Sequence, residues 1–353
     1  MKRYLVGENE SILSCLEKIN KLEKKILFIT NSKNVLKGSL TDGDLRRAFL
    51  KKVKISDSVT SAMNKKPLFV LEGNYDQYDL EARSNELNIT MIPIVNKSMV
   101  VRDIIDADIK NVKSKFKKRN NKNFKLKKAL LMAGGEGKRL LPLTQQTPKP
   151  MLLIDNKPIL EWQINYLKSY DIDQVYISVN YKKEKIKKYF GNGEKFNVNI
   201  KYLEEKKKLG TAGPLALLSG GDIDDLLVLN GDTITDFDLA EFFLFHKNER
   251  ADMTVGGIIH TTAIPYGVIE NKNASILDIT EKPKHSYLCN AGIYLLSSAA
   301  IKHIPTNKEF NMDELIKKLI KIKCKVNVLP VIEELTDIGT VKQLEEARHK
   351  IEK

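Results

Sequence analysis

The sequence predicts an α/β protein in which a larger domain with a mixed, mainly parallel sheet follows a smaller α+β domain. Three observations carry this. From Leu126 onward, apolar strand-like runs alternate with amphipathic helical segments, the order that builds a sheet covered on both faces. Before residue 109, the order helix, strand, strand, helix occurs twice and marks an internal repeat. Between them, Lys110 to Lys128 holds ten basic residues and no acid. Such a run repels itself, cannot bury a core and reads as a tether. The expected boundaries are 1–109, a linker over 110–125, and 126–353.

Each element has its own warrant. The first repeat carries a helical apolar pattern over Ile12–Ile19, a strand over Ile26–Thr30, a turn at Asn31–Asn34, a strand over Val35–Leu40 and a helix over Asp44–Leu50. The second carries helix-like Tyr78–Leu87, strand Met91–Val95, a turn, and Met99–Ile105. In the larger domain, Ala129–Met132 is an apolar run ending in glycines, and Leu160–Leu167 is amphipathic. Val175–Val179 reads as a strand, Glu184–Phe190 as a helix, and Leu226–Leu229 as a buried strand ending in Asn230-Gly231-Asp232.

Charge and composition exclude several classes. The formal net charge of +14 lies mostly in the 110–128 run, and the flanking domains are nearly neutral. A solvated tether is therefore expected rather than a nucleic-acid partner, since only Phe116 and Phe124 interleave its lysines. No run of about 18 apolar residues predicts a membrane span, and Met1–Glu8 lacks the apolar stretch of a secretory signal. Cys15, Cys289 and Cys324 are scattered and odd in number. That pattern fits reduced thiols and a cytoplasmic location rather than a disulfide framework or a cysteine metal cluster.

The chemistry begins at Leu131-Met-Ala133-Gly134-Gly135-Glu-Gly137-Lys-Arg139-Leu-Leu-Pro142-Leu-Thr144. A strand running into a glycine-rich turn is expected to open a helix whose N–H groups face a phosphate. Arg139 adds a forked donor for phosphate oxygens. The spacing is neither the P-loop nor the G-x-G-x-x-G pattern, which argues against ATPase and dehydrogenase functions. Next, Thr147-Pro148-Lys149-Pro150 fixes the backbone on both sides of one lysine and so directs its stem.

Together these words resemble the sugar-1-phosphate nucleotidylyltransferase family. The resemblance continues in order through Leu209-Gly210-Thr211-Ala-Gly-Pro214, Asn230-Gly231-Asp232, Pro265-Tyr-Gly267-Val268, Thr280-Glu281-Lys282-Pro283, Asn290-Ala-Gly292-Ile-Tyr294 and Thr336-Asp337-Ile-Gly339-Thr340. It implies a Rossmann-like nucleotidyltransferase domain whose sugar-phosphate oxygen attacks the α-phosphorus of a nucleoside triphosphate, releasing pyrophosphate. It implies Arg139 and Lys149 as catalytic groups on the phosphates, and Asp232 and Asp337 as holders of Mg²⁺. Ala133, Gly134, Gly135, Gly137, Glu205, Gly210 and Thr211 would contact the nucleotide, and Gly267, Glu281, Lys282 and Asn290 the sugar phosphate. Taken singly, Asp232 and Asp337 also suit a cap or turn, and Lys282 a solvated charge.

Glu205 sits five positions before Gly210, where uridine- and thymidine-using relatives commonly place a glutamine. A carboxylate accepts both the N1–H and N2–H₂ donors of guanine, so GTP is the expected substrate. The alternative is a surface pairing of Glu205 with Lys206–Lys208.

In the smaller domain, Gly38-Ser-Leu-Thr41-Asp42-Gly-Asp44-Leu-Arg46-Arg47 and Ser58-Val-Thr-Ser-Ala-Met63 resemble the cystathionine-β-synthase-type (CBS) module in tandem. Thr41 and Asp44 match its nucleotide-binding positions, or serve as a helix N-cap and first-turn carboxylate. This domain combination resembles a glucosamine-1-phosphate guanylyltransferase of nonulosonic (legionaminic) acid biosynthesis, with mannose 1-phosphate as the second choice of sugar. A regulatory nucleotide at the CBS-type pair and self-association are implied with it. A different class stays open: a nucleotide sensor with an inert transferase fold.

Overall fold

The computed structural model describes residues 2–51, 53–73, 91–106, 125–218, 224–331, 333 and 335–351. The helix expected at Tyr78–Leu87 and nearly all of the basic linker lie outside them. The chain divides into two units, Met1–Lys117 with Thr261–Ser286, and Lys118–His260 with Tyr287–Lys353.

The first unit contains β1 Leu5–Gly7, α1 Ile12–Asn20, β2 Ile26–Thr30, β3 Leu36–Thr41, α2 Asp42–Leu50, β4 Val70–Leu71, β5 Met91–Val95 and β6 Val101–Asp106. Helix α1 starts at the N-cap Ser11 and buries Ile12, Cys15 and Ile19, the i, i+3, i+7 stripe. The repeat is visible in the strands. β1 pairs parallel to β2, and β2 antiparallel to β3; β4, β5 and β6 do the same. The two register shifts fall at equivalent places, after Ile29 and after Ile94. The two turns are alike as well. Asn31 Oδ1 accepts from the N–H groups of Lys33 and Val35, and Asn96 Oδ1 from those of Ser98 and Val100. Leu36 N–H donates to Met99 O and Val101 N–H to Asn34 O, each at 2.9 Å. These bonds exchange under a shift of 65 positions, so a local twofold relates the two halves.

The second part of the chain runs β7 Lys128–Met132, β8 Leu153–Ile154, β9 Lys157–Pro158, α3 Ile159–Ser169, β10 Gln174–Val179, α4 Lys183–Phe190, β11 Asn199–Glu204, β12 Asp225–Asn230 and β13 Thr233–Thr235. It continues with α5 Leu239–Asn248, β14 Met253–Ala263, β15 Val268–Lys272, β16 Ser275–Thr280, β17 Lys284–Ser297, α6 Ser298–Ile301, α7 Met312–Lys321, β18 Val326–Val331, β19 Leu335–Asp337 and α8 Val341–Ile351. The hairpin β15–β16 belongs to the first unit.

Seven strands form one sheet in the order β11-β10-β7-β12-β17-β14-β18. β11, β10, β7 and β12 are parallel neighbours, β17 runs antiparallel to β12, and β14 and β18 are parallel. The apolar runs are continuous because both faces are covered. On β12, Leu227 and Leu229 pack with Leu160, Ile164, Phe190 and Phe242 on one face. Leu226 and Val228 pack with Leu315 and Leu319 on the other.

One expectation is corrected. The glycine-rich turn opens only a single 3₁₀ turn, Lys138–Leu140, rather than an α-helix. Leu141 precedes Pro142 and is extended at φ −60°, ψ 141°, as the proline ring requires of its neighbour. A helix dipole therefore plays no part at this turn.

Candidate active site

The sheet order fixes where a site can form. From β7 the chain moves outward to β10 and β11, then returns to β12 on the opposite side of β7. The loops leaving β7 and β12 diverge and open a crevice at the strands' carboxyl ends. A cavity of about 750 Å³ lies there, lined by the glycine turn, Arg139, Lys149, Glu205, Gly210 and Asp232. Gly231 is required by this approach of the two strands: its N–H bonds Met132 O at 3.0 Å, and a Cβ would lie 2.3 Å from that oxygen.

On one side, charges converge. Lys149 stands on the short turn Lys149–Met151 between its two prolines and is largely buried. Its Nζ donates to Asp232 Oδ2. Asp232 leads into β13, which pairs with β19 so that Thr233 faces Asp337. Ile338 N–H donates to Asp232 O at 3.1 Å, tying the two acidic segments together. Burial, and then the charge of Asp232, hold the Asp337 carboxyl above its ordinary range, while Lys149 and Arg139 pull it down. Asp232 lines the cavity and Asp337 does not, and carboxylates are hard oxygen donors of the kind Mg²⁺ takes. Among the described residues no cluster of three or more His, Cys, Asp or Glu could hold a metal. Phosphate oxygens and water would therefore supply the rest of an ion's coordination sphere.

On the other side lies Glu205. It does not pair with the neighbouring lysines. Its Oε2 accepts from Leu209 N–H at 3.1 Å, while the nearby Ser178 hydroxyl donates to Met132 Sδ at 3.8 Å. Lys208 pairs instead with Glu309 at 3.0 Å. Burial raises the Glu205 carboxyl above its usual range, against the opposing pull of the Leu209 N–H and the Ser178 hydroxyl. Gly134 packs so close that a Cβ there would lie 2.4 Å from Glu205 Oε1.

The expected residues divide into groups. Gly134, Gly135, Gly137, Arg139, Lys149, Glu205, Gly210, Thr211 and Asp232 line one cavity. Ala133 is fully buried beneath it, its N–H bonded to Ser178 O. Asn290, on β17, donates to Tyr294 Oη and accepts from Gly292 N–H. Gly267, Glu281 and Lys282 lie with the hairpin of the first unit, Gly267 half-buried and the other two exposed, with Lys282 Nζ 3.8 Å from Glu281. Thr41 and Asp44 form a capping box at the start of α2. Asp44 accepts from Thr41 N–H, Thr41 Oγ1 and Arg47, so its lone pairs are engaged within the helix terminus.

Sequence reasoning missed Gln163, Ser178, Asn180 and Asn311. Gln163 is a buried amide on α3 whose Nε2 donates to Asn230 O and Thr233 O, at 2.6 and 2.8 Å. It clamps the turn that carries Asp232. Its polar character on an otherwise apolar stripe was the available signal. Ser178, Asn180 and Asn311 line the cavity, and only the strand pairing reveals that.

Comparison with known proteins agrees with this geometry. Residues 128–353 match the nucleotidyl transferase family. Mannose-1-phosphate guanylyltransferase 1 of Arabidopsis thaliana is 36% identical over 195 residues, covering 52% of this chain and 54% of the relative. UTP–glucose-1-phosphate uridylyltransferase of Synechocystis is 32% identical over 238 residues, covering 61% and 60%. The chain thus spans little more than half the length of these relatives. HddC from Yersinia pseudotuberculosis shares the fold at a TM-score of 0.52 and 24% identity, covering 64% of this chain and all of that one.

Proposed function

The chain belongs to the nucleotidyl transferase family, and we propose that it joins GTP and a sugar 1-phosphate to give a GDP-sugar and pyrophosphate. The observation that carries this reading is the convergence of Lys149, Arg139, Asp232 and Glu205 on one cavity at the sheet's switch point. An oxygen of the sugar phosphate forms the new bond to the α-phosphorus. The bond from the α-phosphorus to the bridging oxygen breaks, and pyrophosphate leaves. Lys149 neutralises charge on the α-phosphate, and Arg139 holds the departing pyrophosphate. Asp232 and Asp337 would hold Mg²⁺, which supplies further neutralisation of phosphate charge when bound. Glu205 keeps acceptor capacity for guanine, since a carboxylate has about four lone-pair sites and Leu209 N–H occupies one.

Glucosamine 1-phosphate is the first choice of sugar, on the resemblance of the smaller domain's sequence to a tandem CBS-type module. Mannose 1-phosphate is the second reading, favoured by the similarity to the Arabidopsis guanylyltransferase. Within the unit that carries the cavity, Asn290 would meet the sugar. Pyrophosphate release, measured with four nucleoside triphosphates against several hexose 1-phosphates, tests the proposal. Turnover with GTP and an amino-sugar phosphate is expected. No release with any pair would leave a nucleotide sensor as the better reading, and a clear preference for UTP would remove the guanine assignment.

A further inference from the structure

Beside Glu205 stands a second side chain with the complementary hydrogen-bonding character. β10 and β11 are parallel neighbours in the register Val179↔Glu204, and Glu205 N–H continues the ladder to Val179 O at 3.0 Å. The next residues on the two strands are therefore Asn180 and Glu205, side by side at the carboxyl edge of the sheet. Adjacent strands lie roughly 4.8 Å apart, so two such residues present their groups abreast. Both line the same cavity. Both also flank Gly134: a Cβ built there would lie 2.4 Å from Glu205 Oε1 and 3.5 Å from Asn180 Cβ.

Their states differ. Glu205 is anchored by Leu209 N–H. Asn180 is half-buried, and among the described residues its side-chain amide has no hydrogen-bond partner. An amide with two N–H donors beside a carboxylate acceptor makes a donor–acceptor pair of side chains. The Watson–Crick edge of guanine presents the complement, with acceptor O6 next to donors N1–H and N2–H₂. Adenine reverses the pattern at position 6. Uracil presents one N–H between two carbonyls, so a carboxylate meets an acceptor on either side of it.

We propose that Asn180 donates to guanine O6 while Glu205 accepts from N1–H and N2–H₂, so that the two residues together select the base. This rests on the guanine reading of Glu205. Asn180 is then a specificity-determining residue of the nucleotide site.

The test compares kcat/KM for GTP, 6-thio-GTP, ITP, ATP and UTP in the wild-type chain, Asn180→Ala and Glu205→Gln. Sulfur at position 6 is a poor acceptor but leaves N1–H and N2–H₂ intact, and ITP lacks only the 2-amino group. The wild type is expected to favour GTP over 6-thio-GTP by about tenfold, the value of one good hydrogen bond. Asn180→Ala should lose that ratio while keeping the preference of GTP over ITP, and Glu205→Gln should do the reverse. Each ratio is taken on one preparation, so partial unfolding of a variant does not alter it. A wild type that turns over ATP or UTP as well as GTP would overturn the guanine reading itself. A wild type that prefers GTP, with Asn180→Ala retaining the GTP to 6-thio-GTP ratio, would overturn only the role of Asn180.

Discussion

The two ends of the chain use the same residue types in opposite ways. At the start of α2, Thr41 and Asp44 turn their polar atoms on each other, on the helix backbone and on Arg47. Where β12 ends, Asp232 pairs with Lys149, and burial, then the charge of Asp232, lifts the titration of the nearby Asp337 against the pull of Lys149 and Arg139. The first arrangement is complete within the protein. The second brings like charges together beside an open cavity, a costly arrangement unless a ligand completes it. Polar groups closed on their own helix end report on folding, whereas charged groups gathered on an open cavity report on chemistry.

The sharpest way to break this contrast is to remove the cavity's charges. Lys149→Met and Asp232→Asn should each lower kcat by about 10²–10³-fold, with the melting temperature close to wild type. Pyrophosphate release and thermal unfolding measured on the same samples check this, and a variant with near-full turnover would detach its residue from the chemistry. Next comes Glu205→Gln, which should lower kcat/KM for GTP by roughly 10–100-fold, as expected for a two-point base contact.

A smaller effect is expected from pH. The Glu205 carboxyl titrates above its ordinary range, so it takes up a proton earlier as pH falls. The protonated acid loses acceptor capacity. KM for GTP should therefore rise as pH drops through that raised value, whereas Glu205→Gln should lack this acid limb. A KM profile for GTP on both proteins measures it, and identical limbs would show that another group titrates. The smallest effect belongs to the closed arrangement. Thr41→Ala removes a capping side chain and should cost about 1 kcal/mol in unfolding of the first unit, with no change in turnover. Denaturant titration reads the loss, and an altered nucleotide response would show that the helix terminus is also a ligand site.

Much of the fold was legible because it is carried by short-range pattern. The runs Ala129–Met132 and Leu226–Leu229 are apolar at every position because they are buried on both faces, and the 65-residue repeat shows in its paired Asn turns. The residues of the glycine turn and Lys149, which line the cavity, were legible for a related reason: glycines, prolines and a lysine in fixed order constrain the backbone whatever the rest does. The 3₁₀ turn after Gly137 was missed because the effect of Pro142 on Leu141 was weighed less than the glycines before it. Asn180, Ser178 and Gln163 were invisible because their roles depend on strand register and on a helix packing under a turn, which are contacts between distant positions. Their residue types alone carry no such message.

The most direct test of the central claim is a crystal structure of the full chain with a non-hydrolysable GTP analogue and Mg²⁺. The account predicts the α-phosphate against Lys149, the terminal phosphates against Arg139, and Asp232 and Asp337 turned toward the ion. A nucleotide bound elsewhere, with both carboxylates facing away from it, would contradict the account.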